Sequence, residues 1–197
     1  FGPSIGIFKI PSDTLIKLNN YVEEIIHDEK KIKELAYGET LAGNVKQELR
    51  IEGSILSSLG LQDLLGNAIK QWIKISIGKE ISKLDINSSW IVRQFENEYN
   101  PSHYHSGHIS GVCYLKLPKS FGKTFQPTKK KNYNGAIHFI EGRRSFNASS
   151  EYLVYPEVGD FFIFPAYLMH TVYPFYGKGE RRSLSFNAKI DEKIFQI

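Results

Sequence analysis

The chain has 197 residues, 41% of them hydrophobic and 23% charged, with a net charge of +4. That length suits one domain whose core needs neither disulfides nor a structural metal cluster, and thirteen Phe with eleven Tyr exclude a disordered chain. The single cysteine, Cys113, excludes a disulfide framework and a thiolate zinc site, and a charge this small gives no reason to expect a nucleic-acid partner. No run nears the roughly 20 apolar residues of a membrane span. The opening FGPSIGIFKIP lacks the charged and apolar regions of a signal peptide. The expectation is therefore a soluble cytoplasmic protein without a membrane partner.

The first half reads as helical. From Ser12, the run SDTLIKLNNYVEEIIHDEKKIKELA places Leu15, Leu18, Val22, Ile25, Ile26 and Ile32 at helical spacing, with Pro11 as the stop and Ser12 or Asp13 as N-cap. His27 falls on its polar side, where solvent is the expected neighbour. Gly38 and Gly43 punctuate a connection. After Gly60, the residues Leu61, Leu64, Leu65, Ala68, Ile69, Trp72 and Ile73 share one side of a second helix, which Gly78 ends.

From Ser88 the texture changes. SSWIVRQF, ISGVCYLKL, GAIHFIEG, EYLVYP, DFFIFPAY, MHTVYPF and RRSLSFNAKI are short, β-branched or aromatic, and broken by Gly, Pro and Asn. Runs at such spacing predict an antiparallel sandwich or barrel. Between them, Lys129, Lys130 and Lys131 sit in KSFGKTFQPTKKKNYNG, which has no periodicity and reads as a solvated loop. The expected fold class is α+β, mainly β. A single domain over 1–197 would have a helical part at about 1–85 and a jelly-roll core at about 86–190, its helices packed on one sheet.

Chemistry concentrates at two places. In NEYNPSHYHSGHISGVCYL, alternation puts His103 and His105 on one face of an extended segment, so both imidazoles can converge on one cation. Imidazole suits iron, zinc, copper or nickel alike. His108 reads as an outer group or a loop residue. In PEVGDFFIFPAYLMHTVYPFYGKGERRSLSFNA, His170 opens a short strand and Arg181 follows eleven positions later. Arg181, Ser183 and Ser185 share one face of the last strand, opposite Arg182, Leu184 and Phe186. A guanidinium pointing into a barrel is costly unless it pairs with an anion, and its planar fork suits a dicarboxylate ligand.

Taken together, H-x-H ahead of SGVCYL, then NGAIHFIEGR, then GD-FFIFP-x4-H-x10-R-x-S resemble the 2-oxoglutarate/Fe(II)-dependent oxygenases, in particular a prokaryotic and phage-type subgroup with H-x-H. The resemblance runs from about Trp90 to Ala188. It implies a double-stranded β-helix (jelly roll) that holds Fe(II), binds 2-oxoglutarate and hydroxylates a substrate while 2-oxoglutarate becomes succinate. Carried over by position, His103 and His170 become metal ligands. Arg181 with Ser183 becomes the clamp on the far carboxylate of 2-oxoglutarate, and Tyr114 joins the cofactor-binding residues.

One position departs from the wider pattern, which is H-x-D or H-x-E. His105 fills that slot here, and dianionic 2-oxoglutarate can supply the charge that a carboxylate would have brought. Glu96 and Glu98 precede the motif by several residues, and Asp160 reads as a turn residue, so His105 is kept as the third ligand. Of the aromatic residues, Tyr104 and Tyr114 are the expected cavity contacts. Tyr99, Phe139, Phe162 and Tyr173 are expected to pack ordinarily. His138, Arg143 and Arg144 are expected at the surface.

Two other readings fit the same residues, a non-catalytic jelly-roll binding module and a cupin-like three-histidine dioxygenase without 2-oxoglutarate. The substrate class stays open between a small molecule and a protein side chain, and a homodimer is the default assembly.

Overall fold

The computed structural model describes residues 2–195. Among these residues ten strands form two antiparallel sheets. The larger runs β1–β8–β5–β10–β3–β2, with β1 Gly6–Lys9, β2 Gln47–Arg50, β3 Leu84–Gln94, β5 Ile109–Lys116, β8 Asp160–Pro165 and β10 Arg181–Ile190. The smaller runs β4–β9–β6–β7, with β4 Asn100–His103, β6 Ile137–Ile140, β7 Glu151–Val154 and β9 Met169–Val172. Every ladder is antiparallel. No helix among the described residues is long and apolar enough to cross a membrane.

Period-two alternation divides the larger sheet's side chains between two cores. Cys113 and Leu115 of β5, Phe161 and Ile163 of β8, and Leu184 and Phe186 of β10 face the helices, where they meet Leu18, Val22, Leu65, Ile69 and Ile73. Their neighbours Val112, Tyr114, Phe162 and Phe164 face the smaller sheet and pack with Ile137, Phe139, Leu168 and Val172. Gly111 lies where β10 presses in: a Cβ there would stand 2.4 Å from the Phe186 ring and 2.9 Å from the Phe162 carbonyl oxygen.

The helices agree with the apolar stripes in the main and depart from them in detail. Helix α1, Ser12–Ile26, buries Leu18, Val22 and Ile25. The long periodic run then breaks at His27, because the Asp28 side chain accepts from the N–H groups of Lys30 and Lys31 and starts a separate helix, α2, Glu29–Glu34. His27 is exposed, as its position on the stripe implied. The expected N-cap of α1 is not made: extended Pro11 holds the cap position without a side-chain bond, which leaves Ser12 and Asp13 inside the first turn. Helix α3, Gly53–Ser58, precedes α4, Leu61–Ile77, which lies between left-handed Gly60 and Gly78 as expected.

The N-terminal half also contributes two strands that its sequence did not announce. β1 pairs with β8 through Ile7↔Phe162, and β2 pairs with β3 through Glu48↔Val92. Four residues are too few to display a period.

Candidate metal and cosubstrate site

Sheet register brings the histidines together. β4 and β9 pair with His103 directly opposite His170. Just past β4, the His105 backbone N–H donates to the Ala166 carbonyl at 2.8 Å and continues the extended path. The three rings then lie 4.3 to 5.1 Å apart by centroid. One ring nitrogen from each falls within 4.8 Å of the others, close enough for the three to hold one metal ion.

Their protonation suits that role. The Nδ1 atoms of His103 and His170 lie 2.7 and 2.9 Å from the carbonyl oxygens of Pro101 and Leu168. A carbonyl can only accept, so Nδ1 carries the proton in both rings and Nε2 keeps a free lone pair. Burial holds His103 below its ordinary range, His105 down at about 4 and His170 down at about 3. All three are neutral imidazoles at pH 7, the form that binds metal. Three neutral nitrogen donors fit a first-row divalent metal, ferrous iron included.

The last strand supplies the anion-binding wall. Arg181 is 4% exposed. Its Nη1 donates to Gln94 Oε1 at 2.6 Å and its Nη2 to the Tyr114 hydroxyl at 2.9 Å, while its Nε has no partner among the described residues. The guanidinium also lies over the Tyr114 ring, 4.9 Å from the centroid. The side chains it bonds are neutral, so among the described residues the buried charge has no paired counter-ion; an arriving carboxylate would supply one and take the free Nε–H. Ser183 stands beside it, registered against Tyr114 on one side and Val92 on the other.

His103, His105, His170, Arg181, Ser183 and Tyr114 thus line a single open cavity of about 150 Å³. Of the aromatic residues weighed from sequence, Tyr104 and Tyr114 line it, and Tyr99, Phe139, Phe162 and Tyr173 do not. The other candidates lie elsewhere. His108 Nδ1 accepts from the Ile190 N–H at 3.0 Å. His138 is half-buried against the Tyr173 hydroxyl, with Nδ1 at 3.2 Å. Its Nε2 comes within 3.5 Å of a Glu151 oxygen without hydrogen-bond geometry. Glu98 and Asp160 accept turn N–H groups, and Glu96, Arg143, Arg144 and Lys129 to Lys131 are exposed.

Other residues of the site escaped the sequence reading. Val92 and Trp90 line the cavity and share the inward face of β3 with Gln94, which holds Arg181, and extending the alternation from Arg181 across its neighbour strand would have found them. Glu48 sits on a strand too short to be anticipated. The buried side of β10 held another surprise. Arg182, on the face expected to be largely apolar, is 0% exposed and pairs with Glu180 and Glu23.

The family described as "Putative 2OG-Fe(II) oxygenase" matches residues 88–187. No curated protein matches the chain in sequence. Among solved structures, a Pseudomonas putida prolyl-4-hydroxylase is 16% identical with a TM-score of 0.61, covering 96% of this chain and 92% of its own. A Trichoplax adhaerens prolyl hydroxylase, solved with a hypoxia inducible factor oxygen degradation domain peptide, is 13% identical with a TM-score of 0.61, covering 96% and 84%. HygX from Streptomyces hygroscopicus, solved with nickel and 2-oxoglutarate, is 11% identical with a TM-score of 0.57, covering 93% and 81%. At these identities the likeness is one of fold, the double-stranded β-helix expected from sequence.

Proposed function

This chain belongs to the 2OG-Fe(II) oxygenase family, and from that premise we propose that His103, His105 and His170 hold the iron while Arg181, Ser183 and Tyr114 seat the far carboxylate of 2-oxoglutarate. The observation that carries the assignment is the convergence of three neutral imidazoles and one uncompensated buried guanidinium on one cavity. Family membership favours this reading over the binding module and over a cupin-like enzyme without 2-oxoglutarate.

When bound, iron with 2-oxoglutarate and O2 supplies the oxidising power for hydroxylating a substrate C–H bond. The chain's own residues bind, orient and exclude. The Pro101 and Leu168 carbonyls fix the rings of His103 and His170, so their lone pairs cannot turn away. Gln94 and Tyr114 hold the Arg181 fork in a set plane, and a carboxylate then meets donors already aimed. Val112, Ile137, Phe164 and Val172 line the same space with hydrocarbon and keep water from the reacting centre.

The substrate in this reading is a small molecule or a protein side chain. The 197 residues act as one domain, the helical part of about 1–85 packed on a jelly-roll core of about 86–190. The protein acts in the cytoplasm, where a reducing environment suits both ferrous iron and the buried free thiol of Cys113. It forms a homodimer by the commonest symmetry, without nucleic acid, its one dense lysine run lying in an irregular exposed loop.

The test is substrate-free turnover. Purified protein with Fe(II) and O2 should release succinate slowly from 2-oxoglutarate, and His103→Ala should stop the release. Absence of succinate from the iron-loaded protein, or undiminished release by His103→Ala, would count against the assignment.

A further inference from the structure

One carboxyl group lines the cavity, and nothing described so far gives it a task. Glu48 is 7% exposed. No hydrogen bond or ion pair reaches its carboxyl among the described residues. Desolvation alone pushes it up to about 7. Across the cavity wall, on the first residue of β4, Asn100 Oδ1 is buried and likewise without a partner. A Cβ built on Gly43 would lie 2.7 Å from Glu48 Oε1 and 2.8 Å from Asn100 Oδ1. The two oxygens are therefore near enough to share one group bearing several N–H donors. A side chain at position 43 would press on both oxygens and oblige the Glu48 and Asn100 side chains to move aside.

The location suits substrate and not cosubstrate. Register aligns Ser183 of β10, Val92 of β3 and Glu48 of β2 in one row across the larger sheet. Two strand spacings separate the ends of that row, roughly 10 Å. The arginine and serine stand at one end of the cavity floor and the carboxyl at the other. Glu48 is not part of the cluster of ligand atoms formed by the three histidines.

We propose that Glu48 and Asn100 form the recognition site for a cationic group, an ammonium or guanidinium, on the substrate to be oxidised. This rests on the oxygenase reading and narrows the substrate class to amines, guanidines and basic side chains. The buried Asn100 Oδ1 is costly to leave without a donor, and an N–H-bearing cation satisfies it together with the nearby Glu48 carboxyl, whose charge it neutralises. A neutral alcohol offers one donor and no charge, and an anion is repelled.

The experiment uses the anaerobic Fe(II)–2-oxoglutarate protein, in which no turnover can occur, titrated with n-butylammonium, n-butylguanidinium, 1-pentanol and butyrate by ligand-observed NMR. The wild type should bind the cations about 10- to 100-fold more tightly than 1-pentanol and show no binding of butyrate at the cavity. Glu48→Gln should bring cation and alcohol within about twofold, and Asn100→Leu should remove part of the preference. Equal binding of cation and alcohol by the wild type would overturn the proposal, and would mean that Asn100 turns its amide N–H to Glu48 so that the pair satisfies itself. A cation preference that survives Glu48→Gln would overturn it too. If Glu48→Gln does not fold by circular dichroism, the wild-type selectivity and Asn100→Leu decide. Wild-type succinate release, measured in parallel, separates the two claims: its absence removes the oxygenase reading, whereas its presence with no cation preference removes only this one.

Discussion

Replacing Arg181 with Met should separate ligand binding from stability. The guanidinium is 4% exposed, and its Nε has no hydrogen-bond partner among the described residues. Methionine removes a buried charge that has no counter-ion, which favours the folded state. It also strands Gln94 Oε1 and the Tyr114 hydroxyl, at about 1 kcal/mol or somewhat more each. These changes oppose each other, so the stability of the ligand-free protein should move by no more than about 1 kcal/mol. Affinity for 2-oxoglutarate has no such compensation. Truncating one partner of a buried charged pair costs about 2 to 5 kcal/mol, or roughly 30- to several-thousand-fold in Kd. Anaerobic calorimetric titration of 2-oxoglutarate into the Fe(II) protein reads the affinity, and urea unfolding reads the stability. Arg181→Lys keeps the charge and loses the fork, and should fall between wild type and Arg181→Met. An Arg181→Met protein that binds 2-oxoglutarate normally and unfolds several kcal/mol more easily would refute the reasoning, because the arginine would then be structural.

Three further outcomes follow from the same contacts. His170→Ala, which removes a ligand whose ring is held by the Leu168 carbonyl, should weaken Co(II) or Fe(II) binding by at least about 100-fold in a metal titration, the upper end of what removing an outer partner costs. In the metal-free protein, His105 at about 4 and His170 at about 3 bind fewer protons than an unfolded imidazole near 6.5. Their contribution to stability is thus present above about pH 6.5 and is lost as pH falls toward 3. Glu48, raised from 4.5 to about 7, works in the opposite direction between those values. The imidazole part is therefore read as the difference in melting temperature between wild type and His170→Asn across pH 4 to 7, a difference that should shrink as pH falls; one that stays constant would contradict it. Glu180, held down to about 2 against its own burial, accepts from Arg93 and from fully buried Arg182 at 2.7 to 2.9 Å. Glu180→Gln should cost about 3 to 5 kcal/mol in urea unfolding, and adding Arg182→Met should recover much of it; no recovery would show that the pair does not act as a unit.

What could be read from sequence was whatever repeats along the chain. Helices α1 and α4 were legible because five and seven apolar residues recur in them at helical spacing, and β5, β8 and β10 because short β-branched or aromatic runs are bounded by Gly, Pro and Asn. The site was legible for the same reason, since His103 and His105, and Arg181 and Ser183, are two apart on extended backbone. What stayed hidden depends on contacts between distant segments. The direct opposition of His103 and His170 is a property of register. Arg182 looked like a lapse in an apolar face, because its partner Glu23 meets it only once α1 packs on β10. Glu48 stands in a four-residue strand, and its lack of partners is visible only after folding. Asp28 ends the first stripe through a local bond that periodicity cannot detect.

The central claim is that one metal is held by three imidazoles with Arg181 on the cosubstrate's far carboxylate. A crystal structure of the anaerobic Fe(II)–2-oxoglutarate protein, with anomalous scattering collected at the iron edge, tests it directly. The account predicts a single iron peak bounded by His103, His105 and His170, and the distal carboxylate paired with the Arg181 guanidinium. Iron bound elsewhere, a carboxylate in place of the His105 ring, or 2-oxoglutarate lying away from Arg181 would contradict it.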